Sequence, residues 1–262
     1  MSEIKIVFFD IDDTLYDQDK KIPESTAEAI EKLQRKGIIT AVATGRGPFM
    51  FADLRRQLNI HTFVSYNGSY VVHENEPALR NPLSRPILQE LEKESSEIGN
   101  RLVFLNEQTM RIDGKKNDRV EKGIASLKLN FPFPEEDPGF YKQHDIYQAL
   151  LFYSERDDSS YLRKEPLNTF RYVRWHPYGV DVIPNGGSKA SGIGSILEKM
   201  NLSADEACAF GDGNNDVEML SFVGTGVAMG NAVAGVKKAA DFVTRPVNKD
   251  GVYYGLKNIG LL

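Results

Sequence analysis

Apolar and polar positions alternate with a rhythm that changes twice along the chain. Near its start, Ile6-Val7-Phe8-Phe9 is an unbroken apolar run. A run so rich in β-branched and aromatic residues predicts a strand buried on both faces, as in the middle of a parallel sheet. Ser25–Lys36 then sets Ala29, Ile30 and Leu33 at helical spacing, with Ser25 or Thr26 as N-cap and Gly37 as the stop. Ile38–Ala43 reads as a second strand, Phe49–Leu58 as a helix, Phe63–Ser65 as a short strand and Val71–His73 as a returning hairpin arm. Strand, helix, strand, helix, strand is the order of right-handed crossover units in an open parallel sheet.

The rhythm breaks at Asn81-Pro82 and resumes after Ile183-Pro184. Between those prolines Leu88–Ile98, Arg119–Leu127 and Ser159–Lys164 read as helices. Leu102–Leu105, Arg111–Asp113, Ile146–Tyr153, Phe170–Trp175 and Val180–Ile183 read as short strands joined by polar turns. Phe131-Pro132-Phe133-Pro134 and Pro138-Gly139 mark a loop inside this segment. From Gly186 the alternation returns, with helices over Lys189–Met200, Asn215–Phe222, Ala232–Ala239 and from Val252, and strands over Glu206–Phe210, Gly226–Met229 and Phe242–Thr244. The expected fold is α/β: a doubly wound, Rossmann-like parallel-sheet core in two parts, residues 1–82 and 185–262, interrupted by an inserted α+β domain over residues 83–184.

Composition narrows the function classes. With 262 residues, 41% of them hydrophobic, the chain has ample material for a core. A net charge of -5 and no basic patch argue against nucleic acid as a partner. The single cysteine, Cys208, excludes an intramolecular disulfide and suits a reducing compartment. No charged-then-apolar leader and no run of roughly 18 apolar residues appear, so a cytoplasmic protein without a membrane partner is expected. A monomer or a homodimer fits equally.

Candidate chemistry gathers where the strands should end. Asp10, Asp12 and Asp13 crowd three carboxylates around Ile11, and alternation lets Asp10 and Asp12 share a face. A strand end closed by an Asx-type turn is the plain alternative. The chemical reading makes Asp10 a nucleophile toward phosphorus and Asp12 a general acid and then base. A second cluster, Gly211-Asp212-Gly213-Asn214-Asn215-Asp216, follows the apolar Cys208-Ala209-Phe210. It is not a calcium loop, because Val217 stands where glycine is needed and Val223 where a bidentate glutamate belongs, and an ordinary Gly/Asn turn is the plain alternative. Hard oxygen donors from two strand ends suit Mg²⁺, with Asp10 and Asp212 as direct carboxylate ligands. Thr44 and Gly45 end another strand, either in a plain turn or in one whose hydroxyl and amide donors meet a phosphoryl oxygen. Arg46 serves either an anionic substrate or a surface pair. Lys189 opens a helix, where a cation opposes the macrodipole slightly, and that misfit favours a role. Arg174, Trp175, His176 and Tyr178 line either a leaving-group pocket or a core.

Taken in order, Asp10-Ile11-Asp12-Asp13-Thr14, Thr44-Gly45-Arg46, Lys189 and Gly211-Asp212-Gly213-Asn214-Asn215-Asp216 resemble the four motifs of the haloacid-dehalogenase-like superfamily. The resemblance is closest to its Cof-type phosphatases with a type IIB cap, in which a turn like Tyr66-Asn67-Gly68 precedes a large insert. It implies an aspartyl-phosphate on Asp10 and proton transfer by Asp12, whose backbone carbonyl also binds Mg²⁺. It further implies that Thr44 and Lys189 hold the phosphoryl group, that Asp212 ligates the metal with Asp216 as a direct or water-mediated partner, and that Asn215 lies near the phosphate. An aspartate at position 12 selects phosphoryl transfer over dehalogenation within that superfamily. The implied enzyme is a Mg²⁺-dependent phosphatase of small phosphorylated metabolites. A sugar-phosphate phosphotransferase or mutase, or a non-catalytic phosphometabolite-binding protein, are the alternatives.

Overall fold

A computed structural model describes residues 3–127 and 131–262. In chain order the elements are β1 (Ile6–Phe9), α1 (Glu24–Arg35), β2 (Ile39–Ala43), α2 (Ala52–Gln57), β3 (Thr62–Ser65), β4 (Tyr70–His73) and β5 (Glu76–Arg80). There follow α3 (Arg85–Glu97), β6 (Arg101–Leu105), β7 (Met110–Ile112), α4 (Asp118–Ser126), β8 (Glu135–Glu136), α5 (Phe140–Gln143), β9 (Gln148–Phe152), α6 (Asp158–Leu162), β10 (Phe170–His176) and β11 (Gly179–Pro184). The last part holds α7 (Lys189–Met200), β12 (Ala207–Gly211), α8 (Val217–Phe222), β13 (Thr225–Ala228), α9 (Ala234–Ala239), β14 (Phe242–Val243) and α10 (Gly251–Asn258). These fall into two compact units. One takes the chain up to Gly45, Asp53–Arg80 and the chain from Ser188 onward; the other takes Arg46–Ala52 and Asn81–Gly187.

The first unit is built on an eight-stranded sheet of order β14-β13-β12-β1-β2-β3-β4-β5. Its strands run parallel from β14 through β3, and the β4–β5 hairpin turns back antiparallel at one edge. All four side chains of β1 are fully buried, which is why that strand carries no polar residue. From β1 the chain steps to β2 through α1, and from β12 it steps the opposite way along the sheet to β13 through α8. Right-handed crossovers in opposite directions put α1 and α8 on opposite faces. The direction therefore reverses between β1 and β12, and the carboxyl ends of that strand pair are where an open α/β sheet binds ligands.

The second unit is a six-stranded sheet of order β10-β11-β9-β6-β7-β8, antiparallel except for β7–β8. Period two sorts its faces. Leu102 and Phe104 of β6, Ala149 and Leu151 of β9, and Val180 and Val182 of β11 join Leu88 and Leu91 of α3 in one hydrophobic core.

Local departures from the sequence reading have local causes. The first helix starts at Glu24 rather than Ser25, with Pro23 as its N-cap residue at φ -57 and no side-chain cap. The Ser25 hydroxyl instead donates to Asp250 at 2.7 Å. The helix expected over Phe49–Leu58 begins as a tight turn over Pro48–Phe51 and becomes α-helical only at Ala52. Strands β5 and β8 and the one-turn helix α5 lack an apolar period long enough to announce them. Among the described residues, no helix is long and apolar enough to cross a membrane.

Candidate active site

Strands β1 and β12 lie side by side in parallel, with Phe9 opposite Phe210, so the residues that follow each strand emerge together. The Asp10 amide continues the ladder to the Phe210 carbonyl at 3.0 Å. Beyond it the chain turns sharply about Ile11, whose carbonyl accepts from Leu15 and Tyr16 at 3.0 and 2.7 Å while its side chain stays buried. That turn aims the Asp10 side chain toward the loop after β12. A third contributor arrives from α7. Ser188 caps this helix in a reciprocal box with Ser191, which seats Lys189 in the first turn with 1% exposure.

The Lys189 ammonium donates to Asp10 Oδ1 at 2.5 Å and to Asp216 Oδ1 at 2.6 Å. Asp216 is fully buried, and its other oxygen accepts from the amides of Asp212 and Gly213, both at 2.9 Å. Asp10, Asp212 and Asp216 each present an oxygen within 4.8 Å of the other two. The Thr14 hydroxyl donates to Asp212 at 3.4 Å. The Asp12 side chain stands outside this triad, paired with Lys20 at 2.6 Å.

Charge in this site does not balance from within. Three carboxylates face one ammonium, which leaves two negative charges over if all are ionised. The ionisation equilibria carry the mark of that excess. Burial pushes the Asp10 carboxyl well up, and the Asp216 and Asp12 charges add to the push while Lys189 opposes it. Asp212 is pushed up to about 7, first by burial and then by Asp216 and Asp13, against Lys189 and Thr14. Burial works against the Lys189 charge, yet Asp10 and Asp216 outweigh it and hold its pKa above the usual lysine range. The donor set is all oxygen, converges from two strand ends and lacks two positive charges. These residues fit a hard divalent cation such as Mg²⁺.

Thr44, 2% exposed, sits at the end of β2, where its amide donates to Val64 and its carbonyl accepts from Asn67 at 3.0 Å. Gly45 follows it against the Asn67 carboxamide, which also accepts a hydrogen bond from Asn215 at 3.1 Å. Arg46 groups with the second unit. In that unit Arg174 pairs with Asp158 at 2.8 Å and lies over the Tyr153 ring, while Trp175 meets Phe152 edge-on. Arg174 and Trp175 are thus engaged in packing. Two contributors to the first unit's site lie outside the four motifs, Lys20 and Asn67, while Thr14 lies inside the first motif with no role assigned to it there. Asn67 lies in the noted Tyr66-Asn67-Gly68 turn, and that turn is the one signal that pointed to it.

The chain resembles known proteins over nearly its whole length. The sequence profile of a haloacid dehalogenase-like hydrolase matches residues 7–256. A Bacillus subtilis (strain 168) protein named "Putative phosphatase YkrA" is 45% identical over 258 residues, covering 98% of each chain. A protein of Geobacillus kaustophilus HTA426 superposes with a TM-score of 0.95 at 49% identity, over 99% of this chain and 100% of that one. The subclass IIB sugar phosphatase BT4131 superposes with a TM-score of 0.82 at 30% identity, over 98% and 100%.

Proposed function

The chain belongs to the haloacid dehalogenase-like hydrolases, and from that membership we propose that it is a Mg²⁺-dependent phosphatase of small phosphomonoesters, with sugar phosphates the first to test. The observation that carries this reading is the meeting of Asp10, Lys189 and Asp216, drawn from three distant segments into direct hydrogen bonds. The phosphatase name of the Bacillus subtilis relative and the sugar phosphatase name of BT4131 support the substrate class.

In this reading Asp10 is the nucleophile. A carboxylate oxygen forms a bond to phosphorus while the ester bond to the leaving oxygen breaks. Lys189 and Thr44 steady the equatorial oxygens of the group in transfer, and Asn215 contributes at its edge. Asp12, whose side chain stands apart from the acidic triad, delivers its proton to the leaving oxygen. It then takes a proton from the water that attacks phosphorus, which breaks the bond to Asp10 and frees phosphate. Asp10, Asp212 and Asp216, with the Asp12 carbonyl, would hold Mg²⁺. When bound, that ion supplies the positive charge the site lacks and polarises the phosphoryl group.

We assign residues 1–82 and 185–262 to this chemistry. Residues 83–184 form an inserted cap domain that chooses among substrates, with Arg46 as an anion-binding contributor. A cytoplasmic location goes with this reading, since Cys208 is a buried free thiol. A panel of phosphoesters with free phosphate as readout, with and without Mg²⁺, tests the proposal. Asp10→Asn should abolish turnover, and hydrolysis retained by that variant would reject the mechanism.

A further inference from the structure

Tyr66, Asn67 and Gly68, between β3 and β4, take φ values of 51, 49 and 96° in succession. Only the last is a glycine, and left-handed backbone is disfavoured for a side chain as large as tyrosine. Strain of this kind persists where surrounding structure enforces it, and it gathers at functional sites. The enforcement is visible. Tyr66 is fully buried, and the Asn67 amide is tied to the Thr44 carbonyl at 3.0 Å. Gly68 passes so close to α7 that a β-carbon on it would lie 2.1 Å from the Ser188 carbonyl oxygen.

The result is the placement of one carboxamide. Asn67 Oδ1 accepts from Asn215 Nδ2 at 3.1 Å, and its Nδ2 lies 3.0 Å from where a β-carbon on Gly45 would be. A single side chain therefore touches the loop after β2 and the loop after β12. The next residue, Gly68, abuts the cap of the helix that carries Lys189. Three of the segments that handle the phosphoryl group meet at this turn.

We propose that Asn67 is a positioning residue of the phosphoryl site, holding the Asn215 side chain in register with Thr44 and Lys189. This rests on the phosphatase reading and extends it to a residue outside the catalytic set. Asn67→Gly separates the side chain from the backbone, because glycine takes φ 49° without strain and removes only the carboxamide. The variant is expected to fold with an unchanged melting temperature. It should lose about tenfold in kcat/KM, chiefly through KM, the scale of one hydrogen bond to a bound group. Asn215→Ala should lose a similar factor. The double variant should lose no more than Asn215→Ala alone, since Asn67 acts only through the Asn215 side chain. Wild-type kcat/KM in Asn67→Gly, or losses that multiply in the double variant, overturn the proposal.

A readout independent of turnover keeps the two readings apart. In ¹⁵N-labelled protein the Asn215 side-chain amide resonances should shift, and their hydrogens exchange faster, on going from wild type to Asn67→Gly. Unchanged resonances overturn the positioning role whether or not any ester is hydrolysed. Absent hydrolysis by the wild type overturns the phosphatase reading alone.

Discussion

Replacing Lys189 by methionine tests the buried charge balance most directly. The variant keeps an unbranched stem of similar reach and removes one ammonium from between Asp10 and Asp216, at a side chain with no exposure. Lys189 is the triad's one ion-pair partner among the described residues, so three carboxylates are then left to repel one another. Taking one member out of a buried ion pair costs about 3–5 kcal/mol. That is a large share of the roughly 5–15 kcal/mol that holds a typical domain together. The loss has an outlet, because a carboxylic acid already raised by burial can take up a proton and stop repelling its neighbours.

The sign of the pH dependence follows. In the wild type the Lys189 pKa is raised, so its contribution is complete below the ordinary lysine value and is lost only as pH climbs through the raised one. Between pH 5 and 8 the wild type therefore shows no loss linked to Lys189. In the variant the raised carboxyls are neutral at low pH and ionise as pH rises, so the deficit grows with pH. Urea unfolding in the presence of a chelator should show a loss of about 3 kcal/mol at pH 8 and about 1 kcal/mol at pH 5. Millimolar Mg²⁺ should restore part of the pH 8 deficit by supplying the missing charge. A deficit equal at the two pH values, or none at either, would refute the charge-balance argument.

Other perturbations probe neighbouring parts of the same reasoning. Asp212 is pushed up to about 7, so the stability it allows is complete below its unfolded value of about 4 and is lost as pH rises through about 7. Mg²⁺ should raise the melting temperature more at pH 8 than at pH 5, and Asp212→Asn should abolish that difference. In the second unit Asp181 is also pushed up to about 7 by burial, against the lowering by Trp175 and Gln148. Asp181→Asn should therefore flatten the decline in amide-exchange protection of β11 between pH 4 and 7, and an unaltered decline would count against it. Gly68→Ala brings a β-carbon within 2.1 Å of the Ser188 carbonyl at φ +96°, and thermal unfolding should register a loss above about 2 kcal/mol.

The parts of the site that lay open in the sequence share one property: their chemistry conflicts with their surroundings. Asp10 ends a strand of Ile, Val and Phe, Asp212 follows the apolar Cys208-Ala209-Phe210, and Lys189 places a cation at the wrong end of a helix dipole. Conflict of that kind survives projection onto one dimension. The fold was legible for a related reason, since β1 and β12 are apolar throughout and their crossovers keep a helical period. Asn67 was harder to read because its importance lies in a backbone angle and in the loop across from it. Lys20 meets Asp12 only because Asp17 folds that turn, with its carboxylate accepting from the amides of Asp19 and Lys21 at 2.9 Å.

Asp216 shows what kind of information spacing withholds. Position alone makes it one more acidic candidate for the metal, and leaves open whether it reaches the ion directly or through water. Its bonds distinguish the two: one oxygen is on Lys189 and the other is shared by two amides, whereas Asp212 is met by a single hydroxyl at 3.4 Å. A carboxylate whose charge is already divided among an ammonium and two N–H groups has less to offer a cation than one that is nearly bare. On the reading proposed above, Asp216 is then expected to act first as the strut that folds the Asp212 loop against Lys189, with the greater share of metal affinity falling to Asp10 and Asp212. Asp216→Asn should accordingly unfold at lower urea than Asp212→Asn, while Asp212→Asn should lose more of the stabilisation by Mg²⁺. The reverse ranking would mean that the hydrogen bonds seen around Asp216 do not govern how the site divides its work.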